Sequence, residues 1–135
     1  VPAYAPHVRR WSPRHRERYI ELLDTVAADP GATVSVRCGA IRSAATVPDL
    51  GWPVVRRWIG SNDVAVAEAA LAALPWTDRP TDALPLLLEH TGDDRARVAV
   101  YALRRAARFV AAETDDTTAD LWLTVTSAVQ DPKKK

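Results

Sequence analysis

The chain has little of what most enzyme chemistry requires. It contains one cysteine, Cys38, in 135 residues, so no internal disulfide can form, which suits a reducing cytoplasm. Cys38 sits among small residues in a helical pattern and reads as core packing. His7, His15 and His90 are far apart and no second cysteine joins them, so no zinc-ligand spacing is legible. There is no serine elbow, no paired-cysteine motif and no phosphate-cradling glycine loop. These absences argue against catalysis and imply no cofactor and no metal. The longest apolar runs, such as residues 83–88, stop far short of the roughly 20 residues that cross a bilayer. No basic-then-apolar leader opens the chain. Nor does one sign of charge dominate. Residues 1–60 hold nine Arg against five acids, or +4, and residues 61–135 hold nine Lys or Arg against twelve acids, or −3. A nucleic-acid module is usually more strongly basic.

What is present is helical. Apolar residues make up 47% of the chain and charged ones 26%, ordinary values for a globular domain of this length. Residues 1–11, with Pro2 and Pro6, read as an extended segment. Ser12-Pro13 is a strong helix start, because a serine hydroxyl accepts from orphan amides and proline is tolerated at the first helical position. That helix should run to about Ala28, burying Tyr19, Leu22, Leu23 and Val26, and stop at Asp29-Pro30-Gly31. A second spans about 33–46, with Val34, Cys38, Ile41 and Ala45 as its apolar stripe. Shorter helices are expected near 52–59 and 82–91, and an alanine-rich one over 63–74. A long helix over about 95–113 and another over about 117–130 complete seven.

Three of these helices share a register. Val36, Ala40 and Ile41 recur as Val66, Ala70 and Leu71 thirty residues later, and as Val98, Ala102 and Leu103 after thirty-two more. Such periodicity marks helix pairs that bury their stripes only by stacking. The stretch 62–94 resembles a HEAT repeat of the short bacterial, armadillo-like kind, through the acidic turn Asn62-Asp63, the run Ala69-Ala70-Leu71 with Leu74, and Ala83-Leu84-Pro85 with Leu87-Leu88. The copy at 94–129 keeps the first helix but carries Asp120-Leu121-Trp122-Leu123 in its second. The copy at 33–60 is more divergent, with Gly39 inside its helix and Trp52-Pro53 opening the next. The resemblance implies an all-α, right-handed α-alpha superhelix, a HEAT-like solenoid. It has about seven helices in antiparallel pairs, at about 33–60, 63–91 and 94–130, within a domain over 12–135. The opening at Val1 and the ending DPKKK suggest a segment of a longer protein.

Several surface features bear on function. On the 95–113 helix, Arg97, Tyr101, Arg104 and Arg108 fall within about 60° of one another at 100° per residue, flanked by Arg105. An arginine ridge with a tyrosine can grip carboxylates or phosphates through bidentate hydrogen bonds; the alternative is an ordinary solvated face. Arg42 occupies the position equivalent to Arg104, with Ala72 interrupting the track between them. Trp76, in the Pro-bounded loop PWTDRP, is either an exposed binding anchor or a plug folded onto the core. Trp52, Trp58 and Trp122 should fill gaps between helix pairs. A basic N-terminal patch comprises Arg9, Arg10, Arg14, Arg16 and Arg18, beside Trp11, His7 and His15. Acidic residues Glu113, Asp115, Asp116 and Asp120 keep no calcium-loop spacing and suit helix capping.

The resemblance implies a protein–protein interaction scaffold; the lone cysteine suits a cytoplasmic setting, and the surface features above make Arg97, Tyr101, Arg104, Arg108 and Trp76 the expected partner-binding residues. The alternative it raises is nucleic-acid binding of the DNA glycosylase-like sort, with an arginine and tryptophan surface gripping the duplex. A HEAT-like pigment-attaching lyase ranks last, because Cys38 is the one thiol.

Overall fold

A computed structural model of the protein describes residues 10–113, and these are all-helical, with no strand among them. Six α-helices occupy them: α1 (Pro13–Ala28), α2 (Val34–Ala45), α3 (Gly51–Trp58), α4 (Val64–Ala73), α5 (Pro80–Glu89) and α6 (Ala96–Glu113). Two short 3-10 turns, Leu74–Trp76 and His90–Gly92, extend α4 and α5. The described helices thus number six where seven were expected; the expected helix over about 117–130, with Trp122, lies outside the described residues.

Local chemistry places the helix ends. The Ser12 hydroxyl accepts from the His15 amide at 3.3 Å, with Pro13 opening α1. Thr33 accepts from the Val36 amide at 3.2 Å at the head of α2. Asp63 accepts from the Ala65 and Val66 amides at 3.0 and 3.4 Å at the head of α4. Each cap satisfies donors that the helix cannot serve. Helix α5 starts two residues earlier than expected, because Pro80 stands at its first position rather than closing the preceding loop. Pro85 lies inside α5, on its exposed side with Thr81, where water can reach the carbonyl that a proline cannot serve.

Helices α2, α4 and α6 form a packed series, α2 on α4 and α4 on α6. Helix α3 lies against both α2 and α4, α5 against α6, and α1 against α2. Helix α4 is central and apolar almost all round, burying Val66, Ala67, Ala69, Ala70, Leu71 and Ala73, as a helix covered on several sides must. Its alanines let α2 and α6 approach closely. Between them, Ile41, Leu71, Leu74, Leu84, Leu87 and Leu103 are fully buried. The shared register is visible here: Ala40, Ala70 and Ala102 are buried, as are Ile41, Leu71 and Leu103.

Some expected core positions are corrected. On α1 the buried residues are Ile20 and Ala27, with Tyr19, Leu23 and Val26 half-buried, while Leu22 is 60% exposed. Leu22 points about 100° away from the stripe centred on Leu23, so no neighbour reaches it. Val34, the first residue of α2, and Val36 are also exposed, although the repeat-mate of Val36, Val66, is buried. Cys38 is buried as expected, its thiol 3.6 Å from the Ala65 carbonyl.

Two polar joints fix the helices that carry the site. Arg37 donates through Nε to the Ala27 carbonyl at 2.7 Å and through Nη1 to Asp63 at 3.5 Å, linking the end of α1 to the head of α4. Arg95 donates through Nη1 to the Ile59 carbonyl at 3.4 Å, linking the head of α6 to the end of α3. The Trp58 indole donates to Asp24 at 2.9 Å and Arg57 pairs with the same carboxylate, holding α3 to α1.

Candidate functional site

The candidate site is built on α6. From Ala96 to Ala112 this helix holds four arginines and no acid. Its buried side comprises Ala99, Val100, Ala102, Leu103, Ala106, Ala107 and Val110. Opposite them, Arg97, Tyr101, Arg105 and Arg108 are exposed and Arg104 is half-buried. At 100° per residue, Tyr101 marks the crest, with Arg97 and Arg108 close to it; Arg104 and Arg105 lie on opposite flanks. A face that serves solubility alone normally intersperses both signs, and like charges three or four residues apart cost helix stability. Arg104 with Arg108, and Arg105 with Arg108, are such pairs.

The flank carrying Arg105 faces α4. There, Ala72, Val98, Tyr101, Ala102, Arg105 and Arg108 line a groove of about 290 Å³ along the seam between α4 and α6. Ala72, which in the sequence breaks the basic track, is the small residue that keeps this groove open. Trp76 lies half-buried beside it. Its ring meets Phe109 edge-on at 5.2 Å between centroids, and the Arg105 guanidinium lies 5.4 Å from its centroid. Trp76 is therefore packed onto α6 as a plug that also supports a cation, rather than standing out as a separate anchor.

The structure thus gathers Arg97, Tyr101 and Arg108 on one crest, sets Arg104 on the far flank and Trp76 behind Arg105. In the sequence Arg105 only flanks the ridge, Phe109 falls on the apolar side of the helix and Ala72 only interrupts the basic track; the contact of Phe109 with Trp76 and the groove at Ala72 come from the packing. Helical spacing places Arg105 about 80° from Arg97, but spacing cannot say which flank another helix will approach.

A second hollow, of about 360 Å³, lies between α3 and α5 around Trp52, with Arg56, Arg79, Asp82 and Glu89 on its walls. Two cations and two anions share it, so it selects no sign of charge. In the N-terminal patch, Arg10, Arg14, His15 and Arg18 are exposed and Arg16 is half-buried; His7 and Arg9 lie outside the described residues, as do Asp115, Asp116 and Asp120. No group of three His, Cys, Asp or Glu among the described residues is placed to hold a metal ion, and no described helix is long and apolar enough to cross a membrane.

At the foot of α6, Asp93 accepts from the Arg95 amide at 2.8 Å, and its other oxygen lies 2.7 Å from His90 Nδ1. Burial is the largest single influence on Asp93 and pushes its pKa up. The hydrogen bonds from Arg95 and His90 and the nearby positive charges outweigh it, holding the carboxyl below its ordinary value. This contact orders the turn that launches α6.

Compared with known proteins, the chain matches no family model, no curated protein and no solved structure.

Proposed function

We propose that this chain is a HEAT-like α-solenoid of the cytoplasm, that it acts as a protein-interaction scaffold, and that it has no catalytic activity of its own. The packed series α2–α4–α6 supports the solenoid reading, with α3 packed against α2 and α4 and α5 packed against α6. The recurring buried positions Ile41, Leu71 and Leu103 support it too. The observation that carries the functional reading is the acid-free arginine crest of α6 beside an open groove. Guanidinium groups on a rigid helix suit bidentate capture of carboxylates, so the partner is a protein with an acidic surface.

The test is capture of partners from a lysate by the immobilised protein, with an Arg97→Glu/Arg108→Glu variant as control and with and without nuclease. Both side chains are exposed, so the variant should keep its stability within about 0.5 kcal/mol. Protein bands that resist nuclease and vanish with the variant are expected. Bands that survive the charge reversal would refute the role of the crest. Bands lost to nuclease would replace the reading with nucleic-acid binding, whose affinity must then fall steeply with salt.

A further inference from the structure

The groove between α4 and α6 differs from the crest above it. Its floor is apolar and small, made of Ala72, Ala102 and the half-buried Val98. Its rim carries Arg105 and Arg108, and no acid lines it. At about 290 Å³ it falls just below the roughly 300–1,000 Å³ that encloses a drug-sized ligand. One aliphatic side chain fits it better than a whole metabolite does.

We propose that this groove seats a single aliphatic side chain of an acidic peptide segment, with Arg105 and Arg108 binding neighbouring carboxylates of the same segment. In an extended peptide, residues i and i±2 point to the same side, so one face can present a leucine to the floor and glutamates to the rim. Arg105 is prepared for this task. It lies over the ring of Trp76, 5.4 Å from its centroid, and Trp76 is itself met edge-on by Phe109, so less side-chain freedom is lost when it binds. A guanidinium in cation–π contact with a ring still has N–H donors for a carboxylate. Arg108 stands one helical turn further on, roughly 5–6 Å away between Cβ atoms. Charge complementarity therefore selects an acidic segment, and the apolar floor selects which acidic segment. This inference rests on the scaffold reading and adds to it the identity of the bound motif.

The experiment measures fluorescence anisotropy of two labelled peptides, Glu-Asp-Leu-Asp-Glu and the same sequence with glycine at its centre, against the full chain. Partial burial of a leucine side chain predicts about tenfold tighter binding of the first peptide. Ala72→Leu fills the groove from an exposed position and should erase that preference, leaving the glycine peptide unaffected. Arg105→Lys keeps the charge but loses the planar fork, and should weaken both peptides at least about fivefold while changing Trp76 emission. Circular dichroism establishes that each variant is folded. Equal binding of the two peptides overturns the proposal. So does an unaltered preference in Ala72→Leu, a result that would leave the groove without a role. Tighter binding of duplex DNA than of either peptide overturns the choice of an acidic partner. If neither peptide binds, the groove proposal fails, and partner capture by the unaltered chain still decides the scaffold reading.

Discussion

Replacing Gly51 with alanine would place a methyl carbon 2.2 Å from the Ala44 carbonyl oxygen and 2.9 Å from that of Ala45. Both oxygens belong to the backbone at the end of α2, so no side chain can swing aside. Gly51 is the first residue of α3 and is buried. Its importance lies in close approach, because its φ is negative, as at every described glycine. To open a normal contact, α3 must move by about 1 Å, and it carries Trp52, Val55 and Trp58 into the core with it. Overpacking of this kind costs typically about 1–3 kcal/mol and sometimes more; with backbone as the obstacle, the upper end or beyond is expected. For a domain of this size that lowers Tm by roughly 10 °C. Gly39 is the internal control. It lies inside α2, and a methyl carbon added there would meet nothing within 4 Å. Gly39→Ala should therefore stabilise the protein by about 0.5–1 kcal/mol through helix propensity and unfolded-state entropy. Urea denaturation followed by circular dichroism compares both variants with the parent. A Gly51→Ala protein within about 0.5 kcal/mol of the parent would refute the reasoning, because α3 would then shift off α2 without loss.

Two further outcomes are expected. Asp24→Ala removes the acceptor of the half-buried Trp58 indole and should cost about 1–3 kcal/mol; the same urea titration measures it, and a loss under about 0.5 kcal/mol would show that water replaces the carboxylate. Asp93, whose pKa is depressed in the folded chain, contributes stability that is fully present above the ordinary aspartate value of about 4 and is lost as pH falls through its lower folded value. Asp93→Asn keeps an oxygen for the Arg95 amide but cannot ionise, so the drop in urea midpoint between pH 6 and pH 2.5 should be smaller in this variant than in the parent.

The helices were legible in the sequence because their signals are local. Ser12-Pro13, Thr33 and Asp63 cap within three residues of themselves, and the 30–32 spacing of Ile41, Leu71 and Leu103 needs only the chain order to be seen. The cationic character of α6 was equally plain, since four arginines against one terminal acid, Glu113, fix it whatever the packing. What a helix end or a helical wheel cannot encode is which neighbour arrives on which side. Leu22 looked like core and stands in solvent because α2 packs against the other flank of α1. Gly51 is a contact point between two backbones. Ala72 looked like a break in a charged track and is the floor of a groove, because α4 and α6 meet there and a larger side chain would close the gap. Arg105, rather than Arg104, faces that groove, since Trp76 folds onto one side of α6 and not the other. Sequence by itself thus determined where the helices begin and end and which one carries the charge. Only the tertiary structure decided which charges border a cavity, because that depends on contacts between residues some thirty positions apart, and no local propensity reaches so far.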